Sequence, residues 1–199
     1  PYSMAKALSS QDIIRVEDAH LARGFAKRRH AITRGRGAEL YDAEGRRFID
    51  LASGYGVAIL GYGHPGVLEA IRAQAERLIT CHGSLYNDAR AEFLERLVAA
   101  APSGLERVVL ANSGAEAVEA AVKLSRKATG RKGVVAAIRG FHGKTLGALS
   151  ATWDPRYREG FEPLLPGFTH VPYGDAERIR AAVSEDTAAV LVEPIQGEG

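Results

Sequence analysis

Apolar residues along the chain fall into two rhythms. At helical spacing, Val67, Leu68, Ile71, Ala75 and Leu78 follow Pro65 and predict a helix to about Ile79. A second helix is predicted over Asp88–Ala100, stopped by Pro102-Ser103-Gly104, and a third over Ala115–Ala128, ended by Gly130. Between and after these, short continuous apolar runs predict buried strands at Val108–Leu110, Val134–Ile138, Phe168–Val171 and Ala188–Val192. A helix over Ala176–Val183 separates the last two, and a long loop follows Ile138. Strand–helix alternation with unbroken apolar strands predicts an α/β fold: a mostly parallel sheet with helices on both faces.

The first third of the chain reads differently. Residues 1–36 are an arm with a short helix around Asp12–Ala22. Glu39-Leu40-Tyr41 and Arg47-Phe48-Ile49 flank the turn-forming tetrad Asp42-Ala43-Glu44-Gly45 and predict a β-hairpin. A glycine-rich stretch then runs from Gly54 to Gly66, and a boundary near residues 55–66 rests on that Gly/Pro cluster alone.

Composition agrees with a packed protein. Hydrophobic residues make up 46% and charged residues 25%, with a mean hydropathy of −0.13. The net charge of +2 is too small for a nucleic-acid footprint over the whole chain. A locally basic stretch (Arg23, Lys27, Arg28, Arg29, Arg34, Arg36) reads as a solvated or interface-bordering segment. Cys81 is the single cysteine, which excludes an internal disulfide framework and a CxxC motif. No apolar run approaches membrane-spanning length, and PYSMAKALSS lacks the apolar core of a signal peptide. A cytoplasmic protein, without membrane or nucleic-acid partners, is the expectation.

Several motifs carry candidate chemistry. Gly61-Tyr62-Gly63-His64-Pro65-Gly66 matches G-x-G-x-x-G, but the segment before it is glycine-broken, and Asp88 sits after the next helix rather than at a strand end. Such a lone match is unspecific, and a dinucleotide-binding domain stays a minor alternative. Ser113 and Glu116 have the S-x-x-E spacing of a capping box at the start of the strongest helix. The same strand-to-helix junction presents free N–H groups and a positive dipole end, which suits a phosphate. Local pattern alone leaves a capped helix and a phosphate cup equally open. Gly140-Phe141-His142-Gly143-Lys144-Thr145 follows the next strand, and Val192-Glu193-Pro194-Ile195-Gln196-Gly197-Glu198-Gly199 follows the last. Taken alone, Phe141 reads as core and His142 as a surface histidine. At the carboxyl ends of neighbouring strands, where open α/β sheets bind ligands, an aromatic and a histidine between glycines also suit a flat ring. The six histidines show no metal-ligand spacing, so no metal site is expected, and neither a G-x-S-x-G elbow nor a complete phosphate-binding P-loop is present.

Together these residues resemble a class III aminotransferase, a pyridoxal 5′-phosphate enzyme of fold type I. The resemblance runs from about Gly35 to Gly199 through ELYDAEGRRFIDLASG, GYGHP, NSGAEAVEAAVKLSRKATGR, GFHGKTLGALS and VEPIQGEG. FHGKTLGALSAT, PLLPGF and HVPYG are most similar to the putrescine-using members. The resemblance implies that Ser113, Gly114 and Ala115 hold the cofactor phosphate through backbone N–H groups. It implies that Phe141 stacks on the pyridine ring with His142 beside it. Glu193 is implied near the ring, and Glu198 near the substrate channel. Tyr55 is implied in the substrate pocket, and Lys144 on the substrate side. The implied reaction moves a terminal amino group from a diamine such as putrescine, or an ω-amino acid, to a 2-oxo acid such as 2-oxoglutarate, and a homodimer is expected.

Lys144 departs from the ornithine and acetylornithine branch, which carries arginine there. A guanidinium fork clamps a carboxylate at two points, whereas an ammonium is a point charge, and this favours an amine or diamine donor. Transamination also needs a lysine that anchors the cofactor and an acid opposite the pyridinium nitrogen. None of Lys6, Lys27, Lys123, Lys127, Lys132 or Lys144 matches the anchoring position, so no catalytic residue is expected in this stretch. The resemblance makes residues 1–60 the N-terminal arm and part of a small domain, and 61–199 the first part of the large cofactor-binding domain. The C-terminal remainder is expected to be missing and this stretch alone to be inactive. An ornithine or acetylornithine aminotransferase is one alternative. A non-catalytic cofactor-binding or assembly module is another.

Overall fold

The computed structural model describes residues 8–22, 24 and 26–198. Lys6, Arg23, Gly199 and the first seven residues of PYSMAKALSS lie outside the described residues. Contacts divide the chain into two units, Pro1–Asn87 and Asp88–Gly199.

In the first unit, helix α1 (Ser10–His20) starts at Ser9, whose hydroxyl accepts the Asp12 N–H at 3.2 Å. Ser10 ties α1 to the hairpin turn: its N–H donates to Glu44 at 2.8 Å. Strands β1 (Ile32–Arg36), β2 (Glu39–Asp42) and β3 (Arg47–Ile49) form an antiparallel meander. The hairpin forms as the sequence predicts. Asp42 closes its turn, accepting the N–H groups of Glu44 (3.1 Å) and Arg46 (2.8 Å) and the Arg46 Nε at 2.6 Å. β1 is an addition inside the stretch read as an arm. The basic segment is partly paired: Lys27 reaches Glu17 at 2.8 Å, Arg29 reaches Asp18 at 3.3 Å, and the Arg34 guanidinium lies 4.1 Å from the Tyr41 ring centre. A short turn, α2 (Ser53–Gly56), and the helix α3 (Pro65–Arg77) complete the unit.

The second unit contains α4 (Asp88–Ala100), α5 (Gly114–Thr129), β4 (Gly133–Ala137), α6 (Leu146–Ala151), α7 (Pro155–Arg158), β5 (Phe168–Val171), α8 (Ala176–Ala182) and β6 (Thr187–Leu191). The sheet is parallel in the order β5-β4-β6. Its central strand explains the unbroken apolar run: Val134, Val135, Ala136 and Ala137 are all at least 98% buried. α5 packs on β6 and α6, while α6 and α8 pack on β5. Ala148, Leu149 and Ala151 of α6 complete the core with Val122 of α5.

Two expectations need correction. Val108–Leu110 is not a strand: among the described residues no ladder partner reaches it, and Val109 and Leu110 stay half-exposed. The long loop after β4 contains α6, whose LGALSA residues from Gly147 to Ala151 are all buried and so carry no amphipathic rhythm.

Candidate active site

The ends of β4 and β6 lie side by side because the strands pair in parallel, and the start of α5 meets the loop leaving β4. At that helix start, Ser113 has extended backbone (φ −148°, ψ 161°), and its hydroxyl accepts the Glu116 N–H at 3.1 Å. Glu116 reaches back to the Asn112 N–H at 2.6 Å, one residue earlier than the reciprocal cap read from the sequence. The first turn leaves further N–H groups that no intrahelical carbonyl can reach, beside the positive end of a 16-residue helix. Gly114 is exposed, and a Cβ on it would meet nothing within 4 Å. The junction is therefore both a capped helix and an open cradle.

Gly143 seats the next loop against that cradle. Its φ is +130°, and a Cβ there would lie 2.7 Å from the Ala115 Cβ and 3.0 Å from the Ala148 Cβ. Only glycine permits both the conformation and the approach. Thr152, fully buried, holds the same loop from below. It accepts the His142 N–H at 2.9 Å and lies 3.1 Å from the Gly143 carbonyl.

Glu193, at the end of β6, holds the loop from the other side. Its carboxylate accepts the Phe141 N–H at 3.1 Å and the Gly197 N–H at 3.4 Å. Gln196 donates to the Ile138 carbonyl at 2.9 Å, and Tyr173 donates to the carbonyls of Glu193 (3.1 Å) and Pro194 (2.9 Å). Both strand ends are thereby locked to each other.

His142 is not a surface histidine. It is 92% buried by area, and its Nε2 has no hydrogen-bond partner among the described residues. That nitrogen turns back towards Gly140, where a Cβ would sit 3.0 Å away. Burial pushes the His142 imidazole below its ordinary range; the nearby Glu193 carboxylate opposes this, and His170 adds to it.

Tyr157, which the sequence reading did not single out, is where three of the predicted residues meet. Its ring packs edge-on against Phe141, with centres 5.2 Å apart at 68°. The Lys144 Nζ lies 4.9 Å from the centre of the same ring. Its hydroxyl donates to Glu198 at 3.4 Å, and burial raises its pKa with Glu198 contributing.

Ser113, Gly114, Ala115, Phe141, His142, Lys144, Glu193 and Glu198 all belong to this second unit. Tyr55 belongs to the first. It is 95% exposed and sits in a left-handed turn in which Ser53, Gly54 and Tyr55 have φ of 48°, 58° and 60°. Asp50 holds that turn, accepting the Ala52 N–H at 2.9 Å, the Gly54 N–H at 2.8 Å and the Tyr62 hydroxyl at 2.6 Å. The Tyr62 hydroxyl holds the Asp50 carboxyl below the usual carboxylate range, helped by the Ala52 N–H. Two left-handed non-glycine residues in succession around a glycine are a strained arrangement. Among the described residues, no cluster of His, Cys, Asp and Glu could hold a metal ion, and no helix is long and apolar enough to cross a membrane.

A family model for class III aminotransferases matches residues 21–199. The chain belongs to that family. It is 53% identical over 164 residues to the acetylornithine aminotransferase of Methanopyrus kandleri, covering 82% of this chain and 42% of that protein. It is 51% identical over 170 residues to the [LysW]-aminoadipate semialdehyde transaminase of Deinococcus radiodurans, covering 84% of this chain and 40% of the relative. The chain thus spans less than half the length of these curated relatives. Among solved structures, it resembles the ornithine aminotransferase of Toxoplasma gondii with a TM-score of 0.88 and 29% identity, over 96% of this chain and 47% of that one. That crystal structure shows partial occupancy of pyridoxal phosphate at its active site. Class III aminotransferases are pyridoxal-phosphate transferases that use an amine donor and a 2-oxo acid, and the α/β unit seen here has the fold of the fold type I aminotransferases. The putrescine resemblance gives way: both curated relatives named here belong to the acetylornithine and aminoadipate semialdehyde group. The residues of the second unit fit the family's cofactor. They offer an open helix start for a phosphate and, pressed against it at Gly143, a loop whose aromatic Phe141 is held by its own N–H.

Proposed function

We propose that the protein containing this chain transfers the terminal amino group of a diamino acid with a masked α-amino group, of the acetylornithine type, to a 2-oxo acid such as 2-oxoglutarate. The 53% identity to an acetylornithine aminotransferase carries this reading. The donor's terminal CH2–NH2 becomes an aldehyde, and the 2-oxo acid becomes an amino acid, so the two half-reactions balance. Bound pyridoxal phosphate supplies an aldehyde that takes up the amine and a ring that accepts the electrons released at its carbon.

This chain's residues bind and orient. The N–H groups of Ser113, Gly114 and Ala115 hold the phosphate at the α5 dipole. Phe141 would cover one face of the ring, with His142 beside it. Glu193 acts through Phe141: its carboxylate is already committed to the Phe141 and Gly197 N–H groups, so it fixes the aromatic rather than meeting the ring itself. Lys144 supplies a cation at the substrate side. A masked diamino acid keeps its α-carboxylate, which an ammonium meets at one point. Glu198 borders the channel.

Residues 1–60 contribute the arm and part of the small domain, and 61–199 open the large domain. The anchoring lysine and the pyridinium-paired acid lie outside residues 1–199, and the active assembly is a homodimer. Borohydride reduction of the cofactor-loaded full-length protein is expected to label a peptide outside these residues; a label on any of the six lysines here contradicts that assignment. The donor is tested with the full-length protein and 2-oxoglutarate. Good turnover of acetylornithine with little of putrescine is expected, and the reverse preference overturns the reading.

A further inference from the structure

Tyr157 stands on a four-residue turn, which on its own would give a side chain little reason to stay in place. Its neighbours supply the reason. Asp154 accepts the Arg156 N–H at 2.9 Å and the Arg156 Nε at 2.8 Å, closing the turn that begins at Pro155. The Trp153 N–H donates to the Gly140 carbonyl at 3.0 Å, and the Tyr157 N–H donates to the Asp154 carbonyl at 3.1 Å. The turn is thus fastened to the loop leaving β4, and Tyr157 faces a cleft of about 160 Å³ bordered by Gly140, Phe141, Trp153 and Glu198.

Each face of the tyrosine meets a different chemistry. The edge-to-face contact with Phe141 uses the ring's quadrupole and fixes the tilt of the aromatic. The Lys144 ammonium sits within cation–π range. The hydroxyl reaches the Glu198 carboxylate. A packing residue alone would require none of these three to be a candidate site residue, yet all three are.

We propose that Tyr157 is a positioning residue that sets the tilt of Phe141 over the cofactor ring and holds Lys144 and Glu198 at the substrate side. The inference rests on the proposed cofactor site. Tyr157 touches no reacting atom; it works through the residues that do.

The test uses the full-length protein with two variants. Tyr157→Phe keeps the ring contacts and loses the hydroxyl; Tyr157→Leu loses both. Three quantities are read: pyridoxal-phosphate affinity by absorbance titration, the visible circular dichroism of the bound cofactor, and KM against kcat for the donor. Tyr157→Leu is expected to weaken cofactor affinity about tenfold, to change the cofactor's dichroic band and to raise donor KM. Tyr157→Phe is expected to restore affinity and band to wild-type values while leaving donor KM raised about threefold through Glu198. A Tyr157→Leu protein with wild-type affinity, band and KM overturns the inference. So does a Tyr157→Phe protein that loses the band as fully as the leucine variant, since the ring alone should preserve it. A Tyr157→Leu protein that fails to fold leaves the decision to the phenylalanine variant's KM and band. Wild-type protein that takes up no pyridoxal phosphate overturns the proposed function itself, and this inference with it.

Discussion

Gly143 shows how much one position decides. It combines a backbone conformation closed to other residues with a 2.7 Å approach to Ala115, so the ring-covering loop and the helix start meet only if position 143 lacks a Cβ. Gly143→Ala is expected to cost about 2–4 kcal/mol from backbone strain and overpacking together. It is also expected to weaken cofactor binding, because the loop must lift from the cradle. Thermal unfolding with a cofactor titration checks both; an alanine variant with unchanged midpoint and affinity contradicts the contact. At this scale the sequence was only half legible. Ser113 and Glu116 announce their cap by spacing alone. Tyr157 carries no such signal, because its partners Phe141, Lys144 and Glu198 are not its neighbours at any helix or strand spacing, and Glu198 lies 41 positions away, beyond β6. His142 misled in the other direction, since its burial is not encoded in its immediate neighbours.

Elements were legible where periodicity is local. The hairpin of β2 and β3 follows from its turn residues, and α5 from its amphipathic face and its ends at Ser113 and Gly130. β1 was not legible because ITRGR has no alternating burial, and its pairing depends on β2. α6 was missed because its residues from Gly147 to Ala151 are all buried, and a helix without a polar face there resembles an apolar loop. Burial of α6 and the sheet has a consequence for pH. His142 and His170 both have their pKa lowered, chiefly by burial, so the folded state binds fewer protons than the unfolded chain. Stability is therefore full above the unfolded histidine value of about 6.5 and falls as pH drops through it, until the folded values are passed. The unfolding midpoint should hold from pH 8 to 7 and decline towards pH 5. His170→Gln should decline less steeply, and an unchanged acid slope in that variant contradicts the assignment.

Across the whole molecule, large apolar side chains remain uncovered. Leu51, Val57 and Ile59 of the first unit are 93%, 84% and 79% exposed, and Tyr86 and Ile195 are similarly bare. Large apolar side chains left this exposed suit cover by another polypeptide segment. Since the chain spans less than half the length of its curated relatives, both the rest of the polypeptide and a second copy can supply that cover. The proposed homodimer assigns Val57 and Ile59 to the second copy. Val57→Glu with Ile59→Glu should then weaken dimerisation of the full-length protein at least about tenfold in sedimentation equilibrium. A variant that stays fully dimeric contradicts that assignment.

The start of α5 and the loop pressed against it form the proposed cofactor site. A crystal structure of the full-length protein with pyridoxal phosphate tests it most directly. Phosphate oxygens are expected about 2.7–3.2 Å from the Gly114 and Ala115 nitrogens, with the ring of Phe141 lying over the pyridine. A phosphate seated elsewhere, with the α5 N-terminus facing only water, would contradict it.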